Sequence, residues 1–431
     1  MKTQTHHNQT FRSVPTHSKP LDTARLEKLF QQQLDLYKSN LKSSSDEYLT
    51  ALKTIPLGAH STFQSFDPYP ISIKSAKGAW MVDVDGRKML DLSMGFGSML
   101  VGHLNPLVMA ELKATLDIGT LYTAPSPDSR DAAERLCRRF GIDQIRFTNS
   151  GTESTMYAVR VARSATGKRD IVKVEGGYHG SYDPFVVSAK PKLDAAGDAD
   201  FPTAVVDENL VAGNVHVVPY NNPESLEQIF AKHASTIACF IVEPVLENIG
   251  IVLPDVGYLE RVRELCDQYG IVLIFDEVKT GLTAGHQGAA QRLGVKPDLI
   301  TLAKSIGGGL TLAAFGGKQK YMDYVVNGKM AHFGTFNGNP LAMAGVRAID
   351  RICSDEALAA AEELNQQALN RISAIIDEYQ LPAHTVGFGV KGCVTWSTSP
   401  VRNYRDYKAT DFGVAEAHWL FALNRGIITP P

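Results

Sequence analysis

The apolar positions of this chain fall into short runs separated by stretches of helical period. From about residue 145 to residue 304 the runs are IRFT, DIVKVE, VHVVPY, IACFIVEP, VLIFDEV and LITLAK. Intervening segments such as YLERVRELCDQYG and HQGAAQRLGV place apolar residues three and four apart, which predicts helices. Strand-length runs each followed by a helix-sized interval are the pattern of βαβ units, with parallel strands covered on both faces. Upstream, Leu29, Phe30, Leu34 and Leu36 predict one or two helices between Asp22 and about Leu52. The segment SIKSAKGAWMVDVDGRKMLDLS alternates around Asp85-Gly86 and predicts a hairpin. Beyond Gly338, LAMAGVRAIDRICS and DEALAAAEELNQQALNRISAIIDEY predict helices, followed by short strand-like runs. The expected organisation is a disordered tail over 1–21, N-terminal helices and a hairpin over 22–102, a large α/β domain over 103–335, and a smaller domain over 336–431.

Composition narrows the function without naming it. A net charge of −3 gives no basic field for nucleic acid or an anionic membrane. Cys137, Cys239, Cys266, Cys353 and Cys393 are scattered, with no C-x-x-C pair, so neither a zinc site nor a disulfide framework is expected. The polar start MKTQTHHNQTFRSVPTHSKP lacks the apolar core of a secretory signal, and no apolar run has the length of a membrane span. These features predict a cytoplasmic protein. His6 and His7 are read as ordinary tail residues rather than a metal site.

The candidate chemistry lies where apolar runs end in polar groups. LITLA is followed by Lys304 and then by Gly307, Gly308 and Gly309. A lysine there marks either a strand reaching solvent or a reactive amine beside backbone that turns tightly. VLIF ends in Asp276-Glu277, and IACFIV ends in Glu243-Pro244. A carboxylate at such an end either faces solvent or is buried against a cation. After IRFT, Ser150 and Glu153 have capping-box spacing, while Gly151 and Thr152 open a helix whose free N–H groups suit an anion. An anion cup, a strand-end carboxylate and a strand-end lysine are together what pyridoxal phosphate needs. It carries a phosphate, a ring nitrogen to be kept protonated, and an aldehyde that condenses with an amine. Tyr178-His179 offers an aromatic face for the ring.

The stretches RFTNSGTES, KVEGGYHG, IVEPVLENIGIVLP, LIFDEVKTG, GVKPDLITLAKSIGGG and GTFNGNPLAMA, with WMVDVDGRKMLDL before them, resemble class III aminotransferases of fold type I. Within that class the similarity is greatest to the glutamate-1-semialdehyde aminomutase-like group, and it runs from about residue 55 to the end. The resemblance implies pyridoxal 5′-phosphate as cofactor, with Lys304 as the Schiff-base residue and Asp276 as partner of the ring nitrogen. It implies that Ser150, Gly151 and Thr152 hold the phosphate and that Tyr178 stacks on the ring beside His179. Val278 would lie against the other face, with Glu243 and Asn248 near the cofactor. Thr335 would reach the phosphate of a neighbouring subunit, which implies a homodimer acting on a small-molecule amino donor and carbonyl acceptor.

Two departures bear on substrate. In IPLGAHSTFQSF, Gln64 falls where the aminomutases place a carboxylate-binding arginine, and Thr62 falls near the arginine position of related β-amino acid aminotransferases. Ser61, Thr62 and Gln64 are therefore the substrate-side candidates, with Arg402 or Arg405 as possible replacements for the missing charge. Family members also continue past a strand like GIITPP, so the pocket wall is expected to be cut short at Pro431. The favoured expectation is an aminotransferase whose acceptor is an aldehyde, a ketone or a β-keto compound. The alternatives are the aminomutase itself and a catalytically silent binding relative.

Overall fold

The protein is described here by a computed structural model covering residues 11–13 and 18–430. Strand β1 (Phe11–Ser13) precedes two helices, Thr23–Asn40 and Lys42–Ala51. An antiparallel meander follows, of β2 (Ile73–Lys77), β3 (Trp80–Asp83) and β4 (Lys88–Asp91). The anticipated hairpin is thus present, with one further strand before it. Its turn is tied to the second helix: the Asp85 carboxylate accepts from Ser43 N (2.7 Å), Ser44 N (3.0 Å) and Ser44 Oγ (2.7 Å). Those amides head the helix, where no intrahelical acceptor exists.

The central sheet contains β5 (Gln144–Thr148), β6 (Asp170–Val174), β7 (Val215–Val218), β8 (Ile237–Val242), β9 (Val272–Asp276), β10 (Leu299–Ala303) and β11 (Ala313–Gly317). Their spatial order is β5-β11-β10-β9-β8-β6-β7, with only β11 antiparallel to its neighbours. Alternation in the buried strands builds two cores. Phe240, Val242, Leu273 and Phe275 face one side, packed with the helices Pro223–His233 and Tyr258–Tyr269. Cys239, Ile241, Val272 and Ile274 face the other, against the helix Gly151–Thr166. Both faces are covered, which is why these strands read as continuous apolar runs. Each buried phenylalanine contributes about 1.5–3 kcal/mol by leaving water.

Strand β11 carries no such signal, because its sequence AAFGG has little apolar bulk. The small residues are required by crowding. A Cβ on Gly316 would collide with the carbonyl of Gln144, and one on Gly317 with the carbonyl of Asp298.

The remaining strands are β12 (His384–Phe388), β13 (Lys391–Thr395) and β14 (Ile427–Ile428). The pair β12–β13 is antiparallel, and β14 joins the edge of β4. The expectation of a disordered tail over 1–21 needs correction at one place. Phe11–Ser13 pairs antiparallel with Thr385–Gly387, where the edge of β12 offers unpaired backbone groups to an extended segment. His6 and His7 lie outside the described residues. The helix Pro340–Ile352 is anchored to the helix Pro127–Phe140 through Arg139, which is 5% exposed. Its guanidinium donates to Asp350 Oδ1 (2.8 Å) and to the carbonyls of Asp350 and Cys353 (both 2.7 Å).

Candidate active site

Neighbouring parallel strands deliver polar groups to one edge of the sheet. β8, β9 and β10 lead at their carboxyl ends to Glu243, Asp276 and Lys304, and all three line one cavity. Open parallel sheets collect ligands at this edge. The other lining residues are Gly151, Thr152, Thr155, Tyr178, His179, Gly180, Asn248, Val278 and Lys279.

Lys304 leaves β10 with φ of 49°, a left-handed conformation that costs a non-glycine residue about 1–3 kcal/mol. Among the described residues its amine has no hydrogen-bond or ion-pair partner. Burial lowers its pKa from the usual lysine value; Asp276 opposes that shift and Lys391 adds to it. The glycines after it turn the chain, with φ of 62° at Gly308 and 92° at Gly309. Their close approach is to Met99 and the helix Pro340–Ile352. A Cβ on Gly309 would collide with Met99 Sδ, and one on Gly345 would sit 2.6 Å from the Gly307 carbonyl.

Asp276, 3% exposed, is braced on both oxygens. Oδ2 lies 2.7 Å from His179 Nδ1, so that nitrogen carries the shared proton, while Oδ1 accepts from Thr301 Oγ1 (3.0 Å) and Val278 N (3.1 Å). The far nitrogen of His179, Nε2, is buried without a partner among the described residues. Glu243 acts as a junction: Oε1 accepts from Tyr178 N (3.2 Å), and Oε2 from Glu247 N (3.2 Å) and Asn248 Nδ2 (3.0 Å). Burial raises its pKa, against the pull of His179.

The helix Gly151–Thr166 opens at the cavity. Ser150 is its N-cap, accepting from Glu153 N at 3.2 Å. The Glu153 carboxylate reaches back to Asn149 N at 2.9 Å, one residue earlier than a standard capping box. Ser150 therefore shapes the cup with its hydroxyl turned to the helix; Gly151 and Thr152 line the cavity themselves. Gly151 packs on Val278, and a Cβ on Gly180 would collide with Thr152 Oγ1.

The substrate-side candidates are placed differently. Ser61, Thr62 and Gln64 occupy the single 3₁₀ turn at Thr62–Gln64 and its N-cap, are exposed, and do not line the cavity. Phe63 of the same turn does approach it, edge-on to Tyr178 at 6.0 Å. Neither proposed arginine replacement reaches the cavity. Arg405 is bound to Glu175 at 3.0 Å and to the carbonyls of Ala196, Gly197 and Asp198, and Arg402 is paired with Asp255. Thr335 lies exposed on the loop before the helix Pro340–Ile352, away from this chain's cavity.

The family model described as aminotransferase class-III matches residues 63–415. The chain belongs to this family. It is 39% identical over 395 residues to a glutamate-1-semialdehyde 2,1-aminomutase of Methanocorpusculum labreanum, covering 90% of this chain and 93% of that one. Among solved structures it is similar to a glutamate-1-semialdehyde aminomutase from Pseudomonas aeruginosa, with TM-score 0.87, 28% identity, and coverage of 95% and 93% of the two chains. An omega-transaminase from Sphaerobacter thermophilus also gives TM-score 0.87, at 30% identity and 92% of each chain.

As a class-III aminotransferase of fold type I, the protein takes pyridoxal 5′-phosphate, and the cavity fits that group. Gly151 and Thr152 would receive the phosphate on free helix N–H groups, a place that Gly180 keeps clear. Asp276 would face the ring nitrogen, and the unpartnered amine of Lys304 would meet the carbonyl. Sequence reasoning did not assign Thr155, Gly180 and Lys279. Thr155 Oγ1 donates to the His179 carbonyl at 2.6 Å, a pairing across 24 residues with no local signature. Lys279 stood inside the stretch LIFDEVKTG and was passed over in favour of Asp276.

Proposed function

We propose that the protein is an aminotransferase that moves an amino group from a donor amine to a carbonyl acceptor, with Lys304 as the catalytic amine. The observation that carries this reading is the Lys304 amine itself, half-buried on the cavity wall with no partner among the described residues, at the end of the strand that pairs with the one ending in Asp276. Pyridoxal phosphate, when bound, supplies an electrophilic carbonyl and an electron sink for charge left on the substrate carbon. Lys304 would supply the amine that condenses with that carbonyl and the base that moves a proton to and from the substrate, and a lowered pKa leaves more of it neutral at a given pH. Asp276, held rigid by His179, Thr301 and the amide of Val278, would keep a proton on the ring nitrogen. Tyr178 lines the cavity and meets the exposed ring of Phe63 edge-on at its rim.

We infer that glutamate-1-semialdehyde is not the preferred substrate, because among the described residues no arginine lines the cavity to grip its carboxylate with a bidentate fork, and Gln64 brings neither fork nor charge. The aminomutase reading is favoured by the names of the relatives at 35–39% identity. The two differ in their need for a second molecule. Purified protein loaded with pyridoxal phosphate should lose its lysine-bound visible band on adding a donor amine, and recover it only with an external carbonyl acceptor. Turnover of glutamate-1-semialdehyde alone, at a rate no acceptor improves, would instead establish the aminomutase.

A homodimer is proposed as well, with Thr335 reaching the partner's phosphate. Exposed Phe333 and Phe336 flank Thr335 and offer apolar surface for such a contact. Light scattering should give about twice the 47.0 kDa chain mass, and Thr335→Ala should weaken cofactor binding without dissociating the dimer. A monomer that binds cofactor as tightly as the family's fold allows would remove Thr335 from the site.

A further inference from the structure

The amino-transfer reading leaves one cation on the cavity wall without a task. Lys279, Lys304, Glu243 and Asp276 line the cavity, with Lys391 and Glu247 paired behind them, and five of these six are accounted for. Asp276 holds His179, and Glu243 gathers the backbone amides of Tyr178 and Glu247 with the side chain of Asn248. Lys304 is the reacting amine. Lys391, arriving from β13, is paired with Glu247 Oε2 at 2.5 Å and donates to the Lys279 carbonyl at 2.6 Å. Lys279 remains. Its Nζ donates to the Glu247 carbonyl at 2.6 Å, and among the described residues no carboxylate lies within ion-pair distance. Lys279 lines the cavity, and one of the three N–H groups of its ammonium is engaged in that bond.

An ammonium group in such a place is costly unless an anion completes it. The cofactor's phosphate is served elsewhere, at Gly151 and Thr152. Burial brings the Lys279 pKa down to about 8, with Glu247 and Glu243 holding it up, so the charged form still dominates at neutral pH. The pair Lys391–Glu247 fixes the loop that positions it, because Lys391 bridges the Glu247 carboxylate and the Lys279 backbone.

We propose that Lys279 is the specificity-determining cation of this enzyme, binding the carboxylate of an amino-acid donor or keto-acid acceptor from the cavity wall in the absence of an arginine. The proposal rests on the amino-transfer reading for the identity of its ligand. It means that Gln64 changes where the substrate's charge is held and does not release the enzyme from carboxylated substrates.

The test uses the holoenzyme and two readouts. Calorimetry measures the binding of dicarboxylates from malonate to adipate, which cannot react. Stopped-flow spectroscopy measures bleaching of the visible band by ω-amino acids of three to five carbons and by the matched n-alkylamines. Lys279→Met should weaken the best dicarboxylate by about 10- to 100-fold. It should lower by a similar factor the ratio of kcat/KM for amino acid to that for alkylamine, through KM. Lys279→Arg should restore most of both, and the resting visible spectrum should be the same in all three proteins. Three results would overturn the proposal: no dicarboxylate binding in the wild type, binding unchanged in Lys279→Met, or a shifted visible spectrum, which would make Lys279 a cofactor contact. Lys279-dependent dicarboxylate binding with no amine able to bleach the band would leave the anchor standing and reject the amino-transfer reading.

Discussion

Lys304→Ala is expected to abolish the lysine-bound visible band and to lower turnover by about 10⁴-fold or more, since it removes both a nucleophile and a general acid/base. The fold should survive, because among the described residues the amine makes no hydrogen bond or ion pair whose loss would leave a neighbour unpaired. Relief of the left-handed backbone at position 304 is not expected either, as alanine meets the same steric penalty. Lys304→Arg should be equally inactive: a guanidinium stays protonated and cannot act as nucleophile or base. A small primary amine added to Lys304→Ala should restore part of the rate by occupying the vacated space. For the wild type, cofactor loading should accelerate as pH rises, because only the neutral amine reacts. The rate should level off below the pH at which an ordinary lysine would, since burial lowers this one's pKa. Full turnover by Lys304→Ala without added amine would end the assignment.

Much of the fold was legible in the sequence because its strands are buried on both faces, and such strands write themselves as unbroken apolar runs. Asp276 and Lys304 stood out for the same reason: a charged residue ending VLIF or LITLA contradicts its surroundings. β11 was not legible. Its residues are small because the flanking strands leave no room, and smallness looks like a loop in sequence. The partnership of Asp276 with His179 spans 97 residues and appears only when β9 and the turn after β6 come together. Ser150 shows the opposite difficulty. Its place in NSGTES suits both a helix cap and a phosphate contact; the oxygen accepts from Glu153 N, which leaves the hydroxyl proton free to donate. Lys279 illustrates a third. It sits three residues after Asp276, and a lysine in that turn is unremarkable until Lys391, over a hundred residues later, closes the loop around it.

Asp276→Asn carries the second-largest expected effect, a loss of about 10²- to 10³-fold in turnover, the scale found when a preorganised electrostatic partner is removed. The replacement keeps the shape and leaves a carbonyl oxygen for Thr301 Oγ1 and the Val278 amide, so the loop should hold its position. What it removes is the negative charge that keeps a proton on the ring nitrogen. Without that proton the ring draws electrons poorly, and the cost should fall on the step that breaks the substrate's C–H bond. A deuterium isotope effect on kcat should therefore rise in Asp276→Asn, while cofactor affinity changes little because the phosphate cup is untouched. His179→Ala should cost less, since it leaves the charge in place and removes only its 2.7 Å brace. The double substitution should be little worse than Asp276→Asn alone, because His179 acts through the carboxylate it orients. Additive losses would show that His179, whose Nε2 is buried without a partner among the described residues, has a contact of its own with the bound cofactor or substrate.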